Sequence, residues 1–140
     1  MKSLIVEDDF IARVLLQQVL APLGEAHIAV NGREALGAFR AALATEEPYD
    51  LICLDIRMPE MNGHEALRGI REIEKAMGIA IAKPTRIVIV TGIEAGETVT
   101  QALSEGADGY LNKPVDEAEL TNLLVALCLQ SPNVKAPASG

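Results

Sequence analysis

The sequence LIVEDD at residues 4–9 joins a short apolar run directly to three acids, and the interpretation of the whole chain starts from it. The pattern returns at residues 49–55, YDLICLD, where a second apolar run ends in Asp55. Consecutive apolar residues over so short a length are typical of strands buried on both faces of a sheet. Residues 86–90, RIVIV, predict another strand, because they are rich in β-branched residues and end at Thr91.

Segments of helical character separate the strands. Residues 10–20, FIARVLLQQVL, contain helix formers throughout, and Pro22 and Gly24 follow them. Further helices are predicted to open at the N-cap Asn31, to cover about residues 64–77 and 96–105, and to follow the N-cap Asp116. Residues 27–30 and 109–112 complete five strands that alternate with five helices. Such strands must be parallel, which predicts a doubly wound α/β fold with helices on both faces of the sheet.

Composition excludes several classes of protein. The 140 residues carry a net charge of −8, which repels nucleic-acid phosphates, so we expect no DNA or RNA binding. No apolar run approaches the length of a membrane span, and acids appear too early for a secretory signal, so we expect a cytoplasmic domain. Cys53 and Cys128 lie in apolar segments and are expected to be buried thiols.

Ionisable and polar side chains follow four of the predicted strands. In an open parallel sheet, ligands bind beyond the carboxyl ends of the strands. Helix capping explains Asp9 by itself, but neighbouring carboxylates repel unless a cation is present or a pKa is raised. A set of oxygen ligands suits Mg²⁺, so the pattern predicts a site for a metal and a phosphate. The residues at the four strand ends are Glu7-Asp8-Asp9, Asp55, Thr91 and Lys113.

Four segments resemble the receiver domains of two-component response regulators. They are LIVEDD at residues 4–9, LDIRMPEMNG at residues 54–63, VTG at residues 90–92 and YLNKP at residues 110–114. They occur in the family's order, and the resemblance covers about residues 2–130. It implies the flavodoxin-like strand order 2-1-3-4-5 for the five-stranded parallel sheet. It also implies a bacterial two-component protein.

The resemblance implies a chemical role for the acids. Asp55 would be the phosphoacceptor, taking a phosphoryl group from a sensor histidine kinase or a phosphotransfer protein. Asp8, Asp55 and the backbone carbonyl of Arg57 would bind Mg²⁺ directly, and Glu7 would act through a bound water. The domain would phosphorylate and dephosphorylate itself and would not be an enzyme acting on other molecules.

The resemblance also implies a switch. Lys113 would pair with the phosphoryl oxygens, after a Lys113-Pro114 peptide bond expected to be cis. Thr91 would move to hydrogen-bond the phosphoryl group, and Tyr110 would swing into the space that Thr91 leaves. The face formed by the fourth helix, the fifth strand and the fifth helix would then bind a downstream protein. Whether the chain forms a homodimer stays open.

The expected organisation is a receiver domain at residues 1–130, followed by a disordered tail or linker stub at residues 131–140. Two other functions are open to the same residues. A non-phosphorylated pseudo-receiver could serve as a docking scaffold. A phosphohydrolase of the haloacid dehalogenase type also uses an aspartate at a strand end, but it needs a second aspartate where this chain has Arg57.

Overall fold

The computed structural model describes residues 1–57, 62–78, 84–92 and 96–129. Within these residues, five parallel strands form one sheet in the order β2-β1-β3-β4-β5, which confirms the expected fold class and strand order. The strands are β1 (Ser3–Val6), β2 (Ala26–Ala29), β3 (Leu51–Asp55), β4 (Arg86–Thr91) and β5 (Gly109–Asn112).

Five α-helices lie in the described part of the chain, four between successive strands and one after the last strand, and a short 3₁₀ turn at Ala21–Leu23 follows the first of them. None of these helices is long and apolar enough to cross a bilayer. The helices are α1 (Phe10–Leu20), α2 (Gly32–Ala44), α3 (Gly63–Ala76), α4 (Gly96–Ser104) and α5 (Glu117–Ala126).

Two helices begin at the N-cap residues that the sequence predicts. The side chain of Asn31 accepts a hydrogen bond from the Glu34 amide at 2.8 Å, and Asp116 accepts one from the Ala118 amide at 2.8 Å. Both predicted N-caps are therefore confirmed. Helix α3 begins with a reciprocal capping box, in which Asn62 and Glu65 each accept from the other's backbone amide.

The sheet is buried on both faces, as its apolar strands predict. Alternate residues of the central strands point to opposite faces, so each strand contributes to both layers of the core. On one face Leu4, Ile52 and Ile87 pack in the layer that contains Phe39 of α2 and Leu67 of α3. On the other face Ile5, Cys53 and Val88 pack in the layer that contains Leu16 of α1 and Leu120 and Leu124 of α5.

The strand register brings the polar and ionisable side chains at the carboxyl ends of the strands to one edge of the sheet. Val6 is paired with Leu54, Asp55 with Val90, and Thr91 with Asn112. The residues that follow β1, β3, β4 and β5 therefore leave the sheet at the same edge, next to one another.

One expectation about the cysteines is wrong. Cys53 is buried, but Cys128 is exposed. Helix α5 ends in a turn in which the Leu129 amide donates to the Leu124 carbonyl and the Cys128 amide donates to the Val125 carbonyl, and Cys128 has a φ of 63°. Cys128 is the left-handed residue that ends this helix, and its side chain is exposed there. Residues 58–61 of the family-like loop and the tail at residues 131–140 lie outside the described residues.

A charged network joins α3 to β4 and the loop before β5. Glu74 is fully buried, and its carboxylate accepts hydrogen bonds from Arg71 and, at 2.8 Å, from the Thr85 amide. The Arg71 guanidinium also donates to the Thr85 carbonyl and to Asp108 at 2.9 Å each. Glu74 thus pairs the Thr85 amide and shares the Arg71 guanidinium with Asp108 and the Thr85 carbonyl.

We expect Glu74→Ala to lower the free energy of unfolding by about 3 kcal/mol, because it leaves the buried Thr85 amide unpaired and removes one partner of the partly buried Arg71 guanidinium. The exposed neighbour Glu72 is the matched control, and Glu72→Ala should change the free energy by less than about 0.5 kcal/mol. Urea denaturation followed by circular dichroism measures both. Equal losses in the two variants would show that the network does not stabilise the fold.

Candidate functional site

Three carboxylates converge at the carboxyl edge of the sheet. Glu7 and Asp8 follow β1, Asp55 ends the neighbouring β3, and one carboxylate oxygen from each lies within 4.8 Å of the others. Glu7 and Asp55 are buried, whereas Asp8 is exposed. The pairing of β1 with β3 creates this arrangement, because it puts two acid-bearing strand ends side by side.

Lys113 brings a positive charge into the same cluster. Its Nζ lies 3.0 Å from Glu7 Oε2 and 3.4 Å from Asp55 Oδ2. The Lys113 amide donates to the Thr91 carbonyl at 2.6 Å, which fixes the backbone beside the end of β4. The Lys113-Pro114 peptide bond is cis, as expected.

Backbone amides hold two of the carboxylates in place. The Arg57 amide donates to Asp55 Oδ1 at 3.0 Å, and the Asp9 amide donates to Glu7 Oε2 at 3.1 Å. The Asp9 carboxylate itself accepts from the Ala12 amide at 3.2 Å, so the predicted capping role of Asp9 is confirmed. These contacts leave Asp9 outside the carboxylate cluster and fix the orientation of its neighbours.

The cluster consists of crowded acids, and among the described residues Lys113 is the cation that contacts their carboxylates. Burial, with the neighbouring Asp55 carboxylate, raises the pKa of Glu7 to about 7. Burial by itself would lower the pKa of Lys113, but the hydrogen bond to Glu7 and the charge of Asp55 outweigh it and raise that pKa. A single ammonium therefore does not balance all three carboxylates.

The donor set fits a hard divalent cation. Among the described residues, Glu7 Oε1 is the buried side-chain oxygen that has no hydrogen-bond partner. A buried oxygen without a partner costs free energy unless a cation or water meets it. Carboxylate oxygens at this spacing are the ligands that Mg²⁺ prefers, and the exposure of Asp8 leaves one side of the cluster open to solvent.

Gly63 ends the family-like segment at residues 54–63, but the sequence reasoning gave it no structural role. A Cβ atom at this position would lie 2.6 Å from the Asp55 carbonyl oxygen and 2.6 Å from Ile56 Cα. The start of α3 therefore packs against the backbone that carries Asp55, and only glycine permits this approach. The sequence does show a glycine directly after Asn62, the N-cap of α3. The requirement for glycine there cannot be predicted from neighbouring residues, because it arises from contact with the end of β3.

Arg13 was also missed. Its guanidinium donates to the Glu7 carbonyl at 3.3 Å from the first turns of α1. Its sequence position, about one helical turn after Asp9, is equally typical of a solvent-exposed helix residue. Sequence alone therefore carried no signal for the contact.

Thr91 and Tyr110 do not belong to the carboxylate cluster itself. Thr91 is 6% exposed at the end of β4, and Tyr110 is 47% exposed on the adjacent β5. Tyr110 pairs with Ile89 in the strand register, so the tyrosine lies further from the site edge than Thr91 does. Its ring lines a surface groove between β5 and α5.

Comparisons with known sequences agree with this architecture. The sequence profile of the response regulator receiver domain matches residues 3–125. The chain is 35% identical over 126 residues to the rice two-component response regulator ORR41, covering 88% of this chain and 91% of that protein. It is 31% identical over 138 residues to the rice probable histidine kinase 2, covering 91% of this chain but only 13% of that protein. It is 39% identical over 135 residues to the Escherichia coli regulatory protein AtoC, covering 96% of this chain and 26% of that protein.

Solved structures give the same result. The receiver domain of the Arabidopsis thaliana histidine kinase CKI1, solved as a complex with Mg²⁺, has a TM-score of 0.77 and 31% identity over 90% of each chain. A chain in the co-crystal structure of the yeast phosphotransfer protein Ypd1 and the receiver domain of Ssk1 has a TM-score of 0.78 and 28% identity. That match covers 94% of this chain and 93% of the other.

These relatives come from plants, yeast and a bacterium, so the comparisons do not single out a bacterial origin. The profile match extends over most of the chain and includes every residue of the carboxylate cluster together with Lys113. The chain therefore belongs to the family of response regulator receiver domains.

Proposed function

We propose that Asp55 is the phosphoacceptor of this receiver and that Lys113 and a bound Mg²⁺ assist it. The observation that carries the proposal is the position of the Asp55 carboxylate, between two other carboxylates and the Lys113 ammonium. Carboxylate nucleophiles in phosphoryl transfer need a nearby positive charge, because the attacking and transferred groups are both anionic.

Asp8, Asp55 and the backbone carbonyl of Arg57 would hold Mg²⁺ directly, and Glu7 would act through a water. The Mg²⁺ complex of the CKI1 receiver supports this assignment, as does the unpartnered oxygen of Glu7. When bound, the ion would neutralise negative charge where the carboxylates and the phosphoryl oxygens meet.

The transfer needs little rearrangement of the chain's own groups. A carboxylate oxygen of Asp55 attacks the phosphorus of a phosphohistidine, a new P–O bond forms as the P–N bond breaks, and the imidazole leaves with the bonding electrons. The Arg57 amide holds the other oxygen of Asp55, so the nucleophile is oriented before the donor arrives. The Lys113 ammonium, 3.4 Å from Asp55 Oδ2, pairs with the phosphoryl oxygens.

The phosphodonor would be a sensor histidine kinase or a phosphotransfer protein in the cytoplasm. The yeast complex of a phosphotransfer protein with a receiver supports this class of partner. The chain spans 13% of the matched rice kinase but 91% of the rice response regulator. A receiver of this kind therefore occurs both as part of a histidine kinase and as a separate response regulator, and this chain could be either. We assign the receiver to residues 1–130 and treat residues 131–140 as a tail or linker.

Phosphorylation would change the protein-binding surface of the domain, and the domain would not turn over a substrate. Thr91 would hydrogen-bond the phosphoryl group, and Tyr110 would move inward from its exposed position. The surface built from α4, β5 and α5 would then bind a downstream protein, and a homodimer is the other occupant to be tested. A pseudo-receiver that docks proteins without phosphorylation is the alternative function.

We expect wild-type protein incubated with Mg²⁺ and acetyl phosphate to gain one phosphoryl group, and Asp55→Asn to gain none. Asp50→Asn is the matched control, since Asp50 precedes the same strand at its other end and its carboxylate accepts from the Lys2 amide. It should be phosphorylated like wild type. Intact-mass spectrometry measures all three proteins. Folded wild-type protein with unchanged mass would refute the phosphoacceptor role and favour the docking scaffold.

We expect the phosphoryl analogue beryllium trifluoride, added with Mg²⁺, to reduce the solvent exposure of the Tyr110 ring by at least about twofold. Tyr49, the second tyrosine of the chain, is 4% exposed and serves as an internal control that should not change. NMR relaxation of labelled tyrosine rings by a soluble gadolinium chelate measures both. Thr91→Ala should abolish the effect and Thr91→Ser should keep it, whereas an unaltered Tyr110 in wild type would contradict the switch.

A further inference from the structure

The C-terminal third of the chain has an unusual distribution of charge. Lys113 is the one basic residue of the sequence between Arg86 and Lys135. Its ammonium points into the carboxylate cluster, 3.0 Å from Glu7, and so does not contribute a cation to the outer surface. The acids in the same part of the sequence are Glu94, Glu97, Glu105, Asp108, Asp116, Glu117 and Glu119.

Some of these acids are already paired with cations from α3 and β4. Glu105 lies 2.7 Å from Arg68, and Asp108 lies 2.9 Å from Arg71 of α3 and 3.5 Å from Arg86 of β4. Those pairs neutralise the side of the molecule that faces α3. They do not extend to the first turn of α5.

The first turn of α5 keeps its acids exposed to solvent. Asp116, Glu117 and Glu119 are all exposed there. The helix dipole and the capping role of Asp116 account for acids at this position. They do not account for the lack of Lys and Arg within β5 and α5, both of which the structure describes in full, and the field that reaches solvent from their exposed acids is negative.

Next to these acids lies an open groove of about 410 Å³ between β5 and α5. Leu123 of α5 packs onto β5 at Gly109, where an added Cβ would lie 3.1 Å from Leu123 Cδ1. The groove thus combines apolar side chains, a half-exposed aromatic ring and one carboxylate, that of Glu119. The lining residues are Tyr110, Leu111, Asn112, Glu119, Asn122 and Leu123.

We propose that this groove binds a partner segment in which Lys or Arg residues flank an apolar side chain. The apolar side chain would cover Tyr110 and Leu123, and the cation would meet Glu119. The inference rests on the output role proposed above for this face, and it names the chemistry of the partner met by the unphosphorylated protein, in which Tyr110 is still exposed. Aromatic and apolar contact supplies most of the affinity at such sites, and charge selects the partner and speeds its approach.

Charge complementarity favours a cationic partner segment over a second copy of the chain, a nucleic acid or an anionic membrane. A second copy of the chain would present the same acids, and each copy carries a net charge of −8. Like charges placed opposite each other across an interface cost free energy, so self-association through this face is disfavoured. Nucleic acids and anionic membranes have the wrong sign as well.

Two synthetic peptides with the same apolar residues test the proposal, one carrying Lys and Arg at the flanking positions and the other Glu. The ¹⁵N-labelled unphosphorylated protein is titrated with each peptide and followed by NMR. We expect the cationic peptide to shift the resonances of Tyr110, Asn112 and Asn122, and to bind at least about tenfold more tightly than the acidic one.

Substitutions in and away from the groove test whether the peptide binds there. Glu119→Lys should weaken the cationic peptide at least about tenfold, and Tyr110→Ala should also weaken it. Glu72→Lys changes the net charge equally at an exposed position on α3 and should alter the affinity less than about twofold. Circular dichroism confirms that each variant is folded.

Several results would overturn the proposal. They are equal affinity for the two peptides, shifts centred on another face, equal loss in Glu119→Lys and Glu72→Lys, or self-association through this face in sedimentation. The mass gain with acetyl phosphate, measured on the same preparation, keeps the two proposals apart. Phosphorylation without specific peptide binding refutes the groove alone, and specific binding without phosphorylation refutes only the role of Asp55.

Discussion

The structure depends on the repulsion among three carboxylates that the sheet forces together. Two unit charges at 4.8 Å repel by about 3 kcal/mol at an effective dielectric constant of about 20. The chain offsets this in three ways: the Lys113 ammonium, the backbone amides of Asp9 and Arg57, and a raised pKa that lets Glu7 hold a proton near neutral pH. These three contributions still leave one buried oxygen of Glu7 without a hydrogen-bond partner. That oxygen and the uncompensated negative charge of the carboxylates give the site its affinity for a cation.

Much of this arrangement could be predicted from the sequence because it follows from short-range rules. Apolar runs that lead into Glu7 and Asp55 mark buried strands, and parallel connections bring their carboxyl ends to one edge. The N-caps Asn31 and Asp116 followed from side-chain chemistry within four residues. The strand order and the individual roles of the acids came from the family resemblance, and the sequence pattern alone supplied only their proximity.

What could not be predicted depends on contacts between distant parts of the chain. The requirement for glycine at position 63 arises from the backbone of Asp55, and Glu74 is buried because Thr85 and Arg71 need its oxygens. Cys128 was expected inside because its neighbours are apolar, but a left-handed turn at the end of α5 directs it outward. Strand β5 leads to Lys113 at the cluster and carries Tyr110 along the groove, so a single strand connects the chemical site with the acidic face.

Calorimetric titration with Mg²⁺ at pH 6 and pH 8 tests the central claim most directly. Metal binding requires ionised carboxylates, and the pKa of Glu7 is about 7, so the affinity should rise about tenfold as the pH rises across this interval. Glu7→Gln should remove the pH dependence, Asp8→Ala should weaken binding at both pH values, and Asp9→Asn, which keeps the helix cap, should bind like wild type. Absence of binding by folded wild-type protein, or an affinity unaffected by Asp8→Ala, would contradict the account.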